Sequence, residues 1–149
     1  MSAVDEFVAQ CSAAVVEDRG AGAAKGVVEE AVRDRGLVEE LPSEAGVKVL
    51  HVGEGLTVLQ VVMAERPAGA GNPIPHKHLM WAVIGVMHGA EENEFFRLSA
   101  DTIVPSGRRR VISEGEVLVM VENTIHSVKN PSSERLSSAL HVNGGNWWR

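Results

Sequence analysis

Apolar positions follow two rhythms along this chain. Near the N-terminus, Val4, Phe7, Val8, Cys11 and Val15 recur at three- and four-residue spacing, the period of an amphipathic helix. Ser2 with Asp5 makes an acidic variant of the capping box ahead of them. Gly20-Ala21-Gly22 breaks that helix, and a second begins near Ala23, with Val27, Val28, Ala31 and Val32 on one stripe. Pro42 and Gly46 close the segment, so residues from about 2 to 41 read as helices.

From Val47 onward the rhythm changes to short β-rich runs separated by Gly, Pro and Asn. The runs fall at 48–52, 56–64, 78–87, 94–99, 109–112, 116–121, 127–129 and 136–142. So many short strands with turns between them predict a mainly β protein, a double-sheet jelly roll, with the helices covering one end or face. A chain of 149 residues fits one structural domain. Its organisation is a helical segment at 1–45 packed on a barrel at 46–149.

Composition narrows the function classes. The apolar share of 44% and charged share of 23% are those of an ordinary globular protein. A net charge of −6 argues against nucleic acid, whose phosphates call for clustered Lys and Arg. The one basic run, Arg108-Arg109-Arg110, reads as a solvated turn into Val111, since Glu114 and Glu116 follow closely. Glu91, Glu92 and Glu94 likewise read as a solvated acidic turn. Cys11 is the sole cysteine, so no internal disulfide forms, and on its apolar stripe it reads as a small buried hydrophobe. The N-terminus lacks the basic and apolar regions of a signal peptide, and no uncharged apolar stretch is long enough to span a bilayer. A cytoplasmic protein with no membrane partner is the expectation.

The chemistry rests on histidines. His76 and His78 are two residues apart, and in an extended strand residues i and i+2 share a face about 6.6 Å apart. Two imidazoles so placed can converge on one metal ion at about 2.1 Å each. Such a pair alone is as often a solvated polar pair. His126, from a different strand, adds a third ligand and leaves the opposite side of the ion open, as catalytic rather than structural metals require. Imidazole suits Fe, Cu, Ni and Zn alike, so ligand type does not select the metal.

The surroundings of these histidines resemble the two signatures of the cupin superfamily. The second signature reads glycine, five residues, proline, any residue, glycine, two residues, histidine, three residues, asparagine. Gly115, His126 and Asn130 match it at every spacing, with Val121 for the proline and Asn123 for the inner glycine. Asparagine enters left-handed backbone more readily than most residues, which makes that exchange tolerable. The first signature places a glutamate four or five positions after the second histidine and a glycine seven positions beyond it. Gly89 fits, but the glutamate position falls on Ala82 or Val83. Three histidines without the carboxylate resemble the thiol dioxygenase branch, the cysteine dioxygenase-like cupins. Ala139-Leu140-His141-Val142 falls where those enzymes carry Ser-x-His-x-Tyr.

The resemblance spans roughly 56–145 and implies a double-stranded β-helix, the cupin jelly-roll barrel, with an N-terminal helical segment. It implies Fe(II) held by His76, His78 and His126, with Zn, Ni, Cu or Mn as alternatives. A small thiol and dioxygen would meet on the open face and leave as a sulfinate. His141 would lie near the iron without binding it and orient substrate or dioxygen; its alternative is a core histidine satisfied by backbone. The chain departs from the branch in several places. It has no tyrosine, so a cysteine–tyrosine crosslink cannot form, and Ala139 and Asn143 replace the residues flanking the branch histidine. No arginine stands where the family pairs a substrate carboxylate: Lys48, His51 and Val52 occupy that region, and Arg66 reads as a loop residue. A substrate other than cysteine, or one that is not a thiol, stays open.

Two further classes therefore stand beside the dioxygenase. One is a cupin using its metal as a Lewis acid, as an isomerase, lyase or hydrolase. The other is a small-molecule-binding cupin without turnover. His51 lies in a strand and could face the cavity, His88 belongs to a turn, and Trp81 reads as core filling. Trp147-Trp148 could lid the barrel or bury at the contact of a homodimer.

Overall fold

The structure is a computed structural model and describes residues 1–53 and 55–146. Three helices lead: α1 (Ala3–Glu17), α2 (Ala21–Ala31) and α3 (Arg35–Glu40). Nine strands follow: β1 (Gly46–Gly53), β2 (Leu56–Met63), β3 (His76–Lys77), β4 (Ala82–His88), β5 (Ala90–Ser99), β6 (Thr102–Ser113), β7 (Val117–Met120), β8 (Ile125–Lys129) and β9 (Ser137–Asn143). They form a five-stranded sheet in the order β1-β2-β9-β4-β7 and a four-stranded sheet in the order β3-β8-β5-β6. All pairings are antiparallel.

Ser2 Oγ accepts from Asp5 N at 3.1 Å and caps α1. The second expected helix is in fact two. Asp34 Oδ1 accepts from Leu37 N at 3.3 Å and starts α3, because a short polar side chain at that place offers the backbone an alternative partner.

The helices lie against the outer face of the five-stranded sheet. That sheet is therefore covered on both sides, and its central strands lose their polar alternation. β9 is buried at every residue and β4 at all but its last. Phe7, Cys11, Val28, Val32 and Leu37 pack against Val58, Val83, Leu140 and Val142 in the outer layer. A second apolar cluster lies between the sheets and contains Ala82, Ile84, Val86, Ile112, Leu118, Met120 and Ala139. Gly85 sets how closely the helices approach: a Cβ there would come within 2.5 Å of Val28 Cγ1 and 2.6 Å of Val32 Cγ1. Cys11 is fully buried, and burial pushes its thiol up to about 12, so it serves as a small hydrophobe.

Several local expectations are corrected. The strand predicted at 78–87 divides, with β3 ending at Lys77 and β4 starting at Ala82. Leu79 lies between them at φ 63°, an uncommon left-handed conformation for leucine. Asn123 needs no such conformation, since Leu79 and Ala100 are the non-glycine residues with positive φ among those described. Glu91, Glu92 and Glu94 lie within the continuous strand β5, and Arg108-Arg109-Arg110 within β6, rather than in turns. His88 closes β4, with its Nδ1 3.8 Å from Glu114. No helix among the described residues is long and apolar enough to cross a membrane. Trp147 and Trp148 lie outside the described residues.

Candidate metal centre

His76 is the Cα partner of His126 across β3 and β8, so their side chains rise on the same face. His78 stands past the end of β3, where the left-handed Leu79 turns the chain towards β4. The same-face pair is therefore produced by two residues of strand and a turn rather than by one long strand. The three imidazoles still converge. His78 Nε2 is 3.0 Å from His76 Nε2 and 3.1 Å from His126 Nε2, and one ligand atom from each ring lies within 4.8 Å of the others.

The other ring nitrogens settle which face carries the lone pairs. His76 Nδ1 lies 3.3 Å from the Ile74 carbonyl, which can only accept, so this nitrogen carries the proton. His78 Nδ1 donates to Asn143 Oδ1 and His126 Nδ1 to Asn93 Oδ1, each at 2.9 Å. All three Nε2 lone pairs then point at one another. Neutral acceptors facing each other at this distance repel unless a cation lies between them. Two nitrogens about 2.1 Å from one ion, with bonds at right angles, stand about 3.0 Å apart. The donor set thus fits a metal ion, and outward hydrogen bonds that fix the tautomer are the usual support for ligating histidines.

Burial, first, and the neighbouring histidines lower His126 to about 3. His78 is lowered too, chiefly by burial, with Asn143 opposing. Both shifts favour the neutral imidazole, which is the ligating form.

His141 is buried in β9 and donates from Nε2 to Glu91 Oε2 at 3.0 Å. The partner of its Nε2 is thus a side chain, where the alternative of a core histidine expected backbone. Its charge would be felt by both His78 and His126. Glu91 is fully enclosed, and its Oε1 has no hydrogen-bond partner. Glu91, Asn93 and Asn143 were not singled out as site residues by the sequence. In the folded strands a period of two sets them apart. Glu91 and Asn93 alternate in β5 with Glu92 and Glu94, whose carboxylates pair with Lys129 at 3.2 Å and Arg109 at 3.8 Å. In β9, His141 and Asn143 share a face in the same way.

The remaining candidates are held elsewhere. Arg66 donates to the Gly71 carbonyl and Lys48 to the Glu44 carbonyl. His51 is half-buried with its ring against Gly53. Trp81 donates to the Arg19 carbonyl at 2.6 Å and ties the end of α1 to the barrel. Asn130 donates to the carbonyls of Met63, Ala64 and Arg135 and fastens the loop after β8, a structural task.

No family model matches the sequence. Among solved structures, the chain is similar to an RmlC-like cupin family protein with a double-stranded β-helix fold from Methanocaldococcus jannaschii. That match has a TM-score of 0.54 at 12% identity and covers 72% of this chain and 85% of that one. A cupin superfamily protein from Desulfitobacterium hafniense matches with a TM-score of 0.56 at 9% identity, over 74% and 88% of the two chains. The fold is the cupin double-stranded β-helix. Oxalate oxidase in complex with glycolate is similar to this cupin fold at a TM-score of 0.50 and 17% identity, over 70% of this chain and 53% of that one. At such identities the likeness is one of fold. In this cupin barrel the triad gathers side chains from β3, the turn after it and β8, and Ala82 stands inward at one of the two places where the signature carries glutamate.

Proposed function

We propose that this chain is a metal-dependent cupin, a non-haem Fe(II) dioxygenase that converts a small thiol to a sulfinate. The observation that carries the reading is the triad of inward lone pairs on His76, His78 and His126, each fixed from behind by an acceptor oxygen. Alanine at position 82 supports it, because a site with no fourth protein ligand leaves more positions for exogenous ones. Bound ferrous iron would supply the centre on which thiol sulfur and dioxygen react.

The chain's own residues do the rest. Ile74, Asn93 and Asn143 hold the imidazoles in register, so little reorganisation is needed when an ion enters. His141, its Nε2–H engaged by Glu91, keeps a lone pair on Nδ1 that can take the proton a thiol gives up. Ala82 and Ile84 of the apolar inter-sheet cluster stand beside the site, as the Cα partners of Asn143 and His141.

The buried Glu91–His141 pair also favours a second reading. A carboxylate-oriented imidazole is the composition of a general base, which beside a Lewis-acid metal would serve an isomerase, lyase or hydrolase. Homodimer formation belongs to either reading, with the exposed Val47, Val49 and Val52 of the edge strand β1 as apolar surface.

Metal analysis of protein purified without added metal, followed by oxygen-electrode assays over a panel of small thiols, tests the assignment. One metal per chain is expected, lost in His78→Ala, with thiol-stimulated oxygen uptake by the iron form. His141→Ala should lower turnover far more than metal affinity. Metal without oxygen uptake on any thiol would transfer the assignment to Lewis-acid chemistry. Full occupancy in a His76→Ala/His78→Ala double variant would remove the metal centre.

A further inference from the structure

A cavity of about 530 Å³ opens between β6, the edge of one sheet, and β7, the edge of the other. Its size is that of a small-molecule site. Phe95, Leu118 and Met120 give it an apolar floor, and Arg97, Arg108, Arg109 and Arg110 stand around it. These are four of the 14 Lys and Arg residues in a chain of net charge −6. Among the described residues no carboxylate lines the cavity. The ion partner found for these arginines there is Glu94, 3.8 Å from Arg109 and so only loosely held.

The backbone is built to aim two of the guanidinium groups. Glu94 pairs with Arg109 and Phe96 with Pro105, so Phe95 faces three residues of β6, a bulge with Gly107 at φ +84°. Ser106 Oγ clamps the bulge, donating to the Phe95 carbonyl at 2.8 Å and accepting from Arg108 N at 3.2 Å. Arg108 is thereby placed with its guanidinium carbon 5.5 Å from the Phe95 ring centroid, a cation–π contact. Arg110 is the Cα partner of the buried Asn93 and points to the same face.

We propose that this cavity binds a small organic anion with a flat apolar body, an aromatic carboxylate in chemical class. Arg108 and Arg110 take the carboxylate, and Phe95, Leu118 and Met120 take the ring. Guanidinium forks match a carboxylate in two hydrogen bonds each, and the apolar floor gives no reason for a bare inorganic anion. Glu114, Glu116 and Glu122 sit at the ends of β6 and β7, which disfavours an extended polyanion. None of His76, His78 and His126 lines the cavity, but Phe95 is the Cα partner of His126, so the cavity adjoins the triad and the His78→Ala arm of the test separates the two.

The test is titration of the purified protein with 3-phenylpropionate, followed by calorimetry and by the methyl NMR signals of Leu118, Met120 and Ile125. Binding that moves those methyl signals is expected. It should weaken at least tenfold in an Arg108→Gln/Arg110→Gln variant of unchanged melting temperature, and persist in His78→Ala. The uncharged 3-phenylpropanol and inorganic phosphate should each bind at least tenfold more weakly. Loss of binding in His78→Ala would put the carboxylate on the metal centre and overturn the proposal. So would an unchanged affinity in the arginine variant, phosphate binding as tightly as the aromatic acid, or a single-stranded oligonucleotide binding where 3-phenylpropionate does not.

Discussion

Glu91 Oε2 and His141 Nε2 meet at 3.0 Å inside the barrel, from β5 of one sheet and β9 of the other. Each is the other's principal polar partner, and the Glu91 side chain has no exposed surface. Removing one leaves the other buried and unsatisfied, so Glu91→Ala or His141→Ala alone should cost about 2 kcal/mol or more. Glu91→Met combined with His141→Leu should recover most of that loss, because an apolar pair leaves no orphan. Urea unfolding of the four proteins checks the pattern; a double variant no better than the singles would deny the coupling.

Asn143 and Asn93 act through the histidines they hold. Replacing Asn143 by Leu removes the acceptor on His78 Nδ1 and frees the ring to take the wrong tautomer. Metal affinity should fall by about 10- to 100-fold, measured by chelator competition. Asn143→Asp keeps an acceptor oxygen in place and should retain most of the affinity. Equal loss in both variants would mean that Asn143 serves packing alone.

How much of this was legible beforehand depended on which layer a residue belongs to. The helical stripe of Phe7 and Cys11 and the turn glycines mark their elements by local chemistry alone, whereas the motif histidines mark a site but not the turn at Leu79 that brings His78 to it. Glu91 was misread because its neighbours Glu92 and Glu94 are acidic too. Only strand register separates the buried carboxylate from the two that meet Lys129 and Arg109 outside. Arg108 was misread for a related reason: the bulge at Gly107 that turns it onto Phe95 depends on pairing with another strand. The sheet covered on both faces likewise hid the alternation that would have assigned Asn143 to the interior.

Acid should destabilise the metal-free protein through the triad. Burial holds folded His126 at about 3, against the usual 6.5 of the unfolded chain, and His78 is also lowered. Between those values the unfolded state binds more protons, so stability rises with pH across the window. The contribution is fully present above about pH 6.5 and is lost as pH falls towards 3. Calorimetry of metal-stripped protein should show the melting temperature dropping from pH 7 to pH 4, with a shallower slope in His126→Gln. An unchanged slope in that variant would place the acid sensitivity elsewhere.

Gly85 tests whether the helices and the barrel share one core. It sits in β4 with α2 directly above, and a methyl group there would press to 2.5 Å from Val28 and 2.6 Å from Val32. Backbone conformation is not the constraint, because Gly85 has no positive φ. Gly85→Ala should therefore lower stability by about 1–3 kcal/mol through overpacking alone. Val28→Ala with Val32→Ala opens room beneath α2, at the usual cost of lost burial for each. Adding Gly85→Ala to that background should be close to neutral. Thermal unfolding of the four proteins measures the coupling. If Gly85→Ala costs the same in both backgrounds, the helical layer is not held to β4 at this point, and the close approach of α2 does not contribute to holding the helices on the sheet.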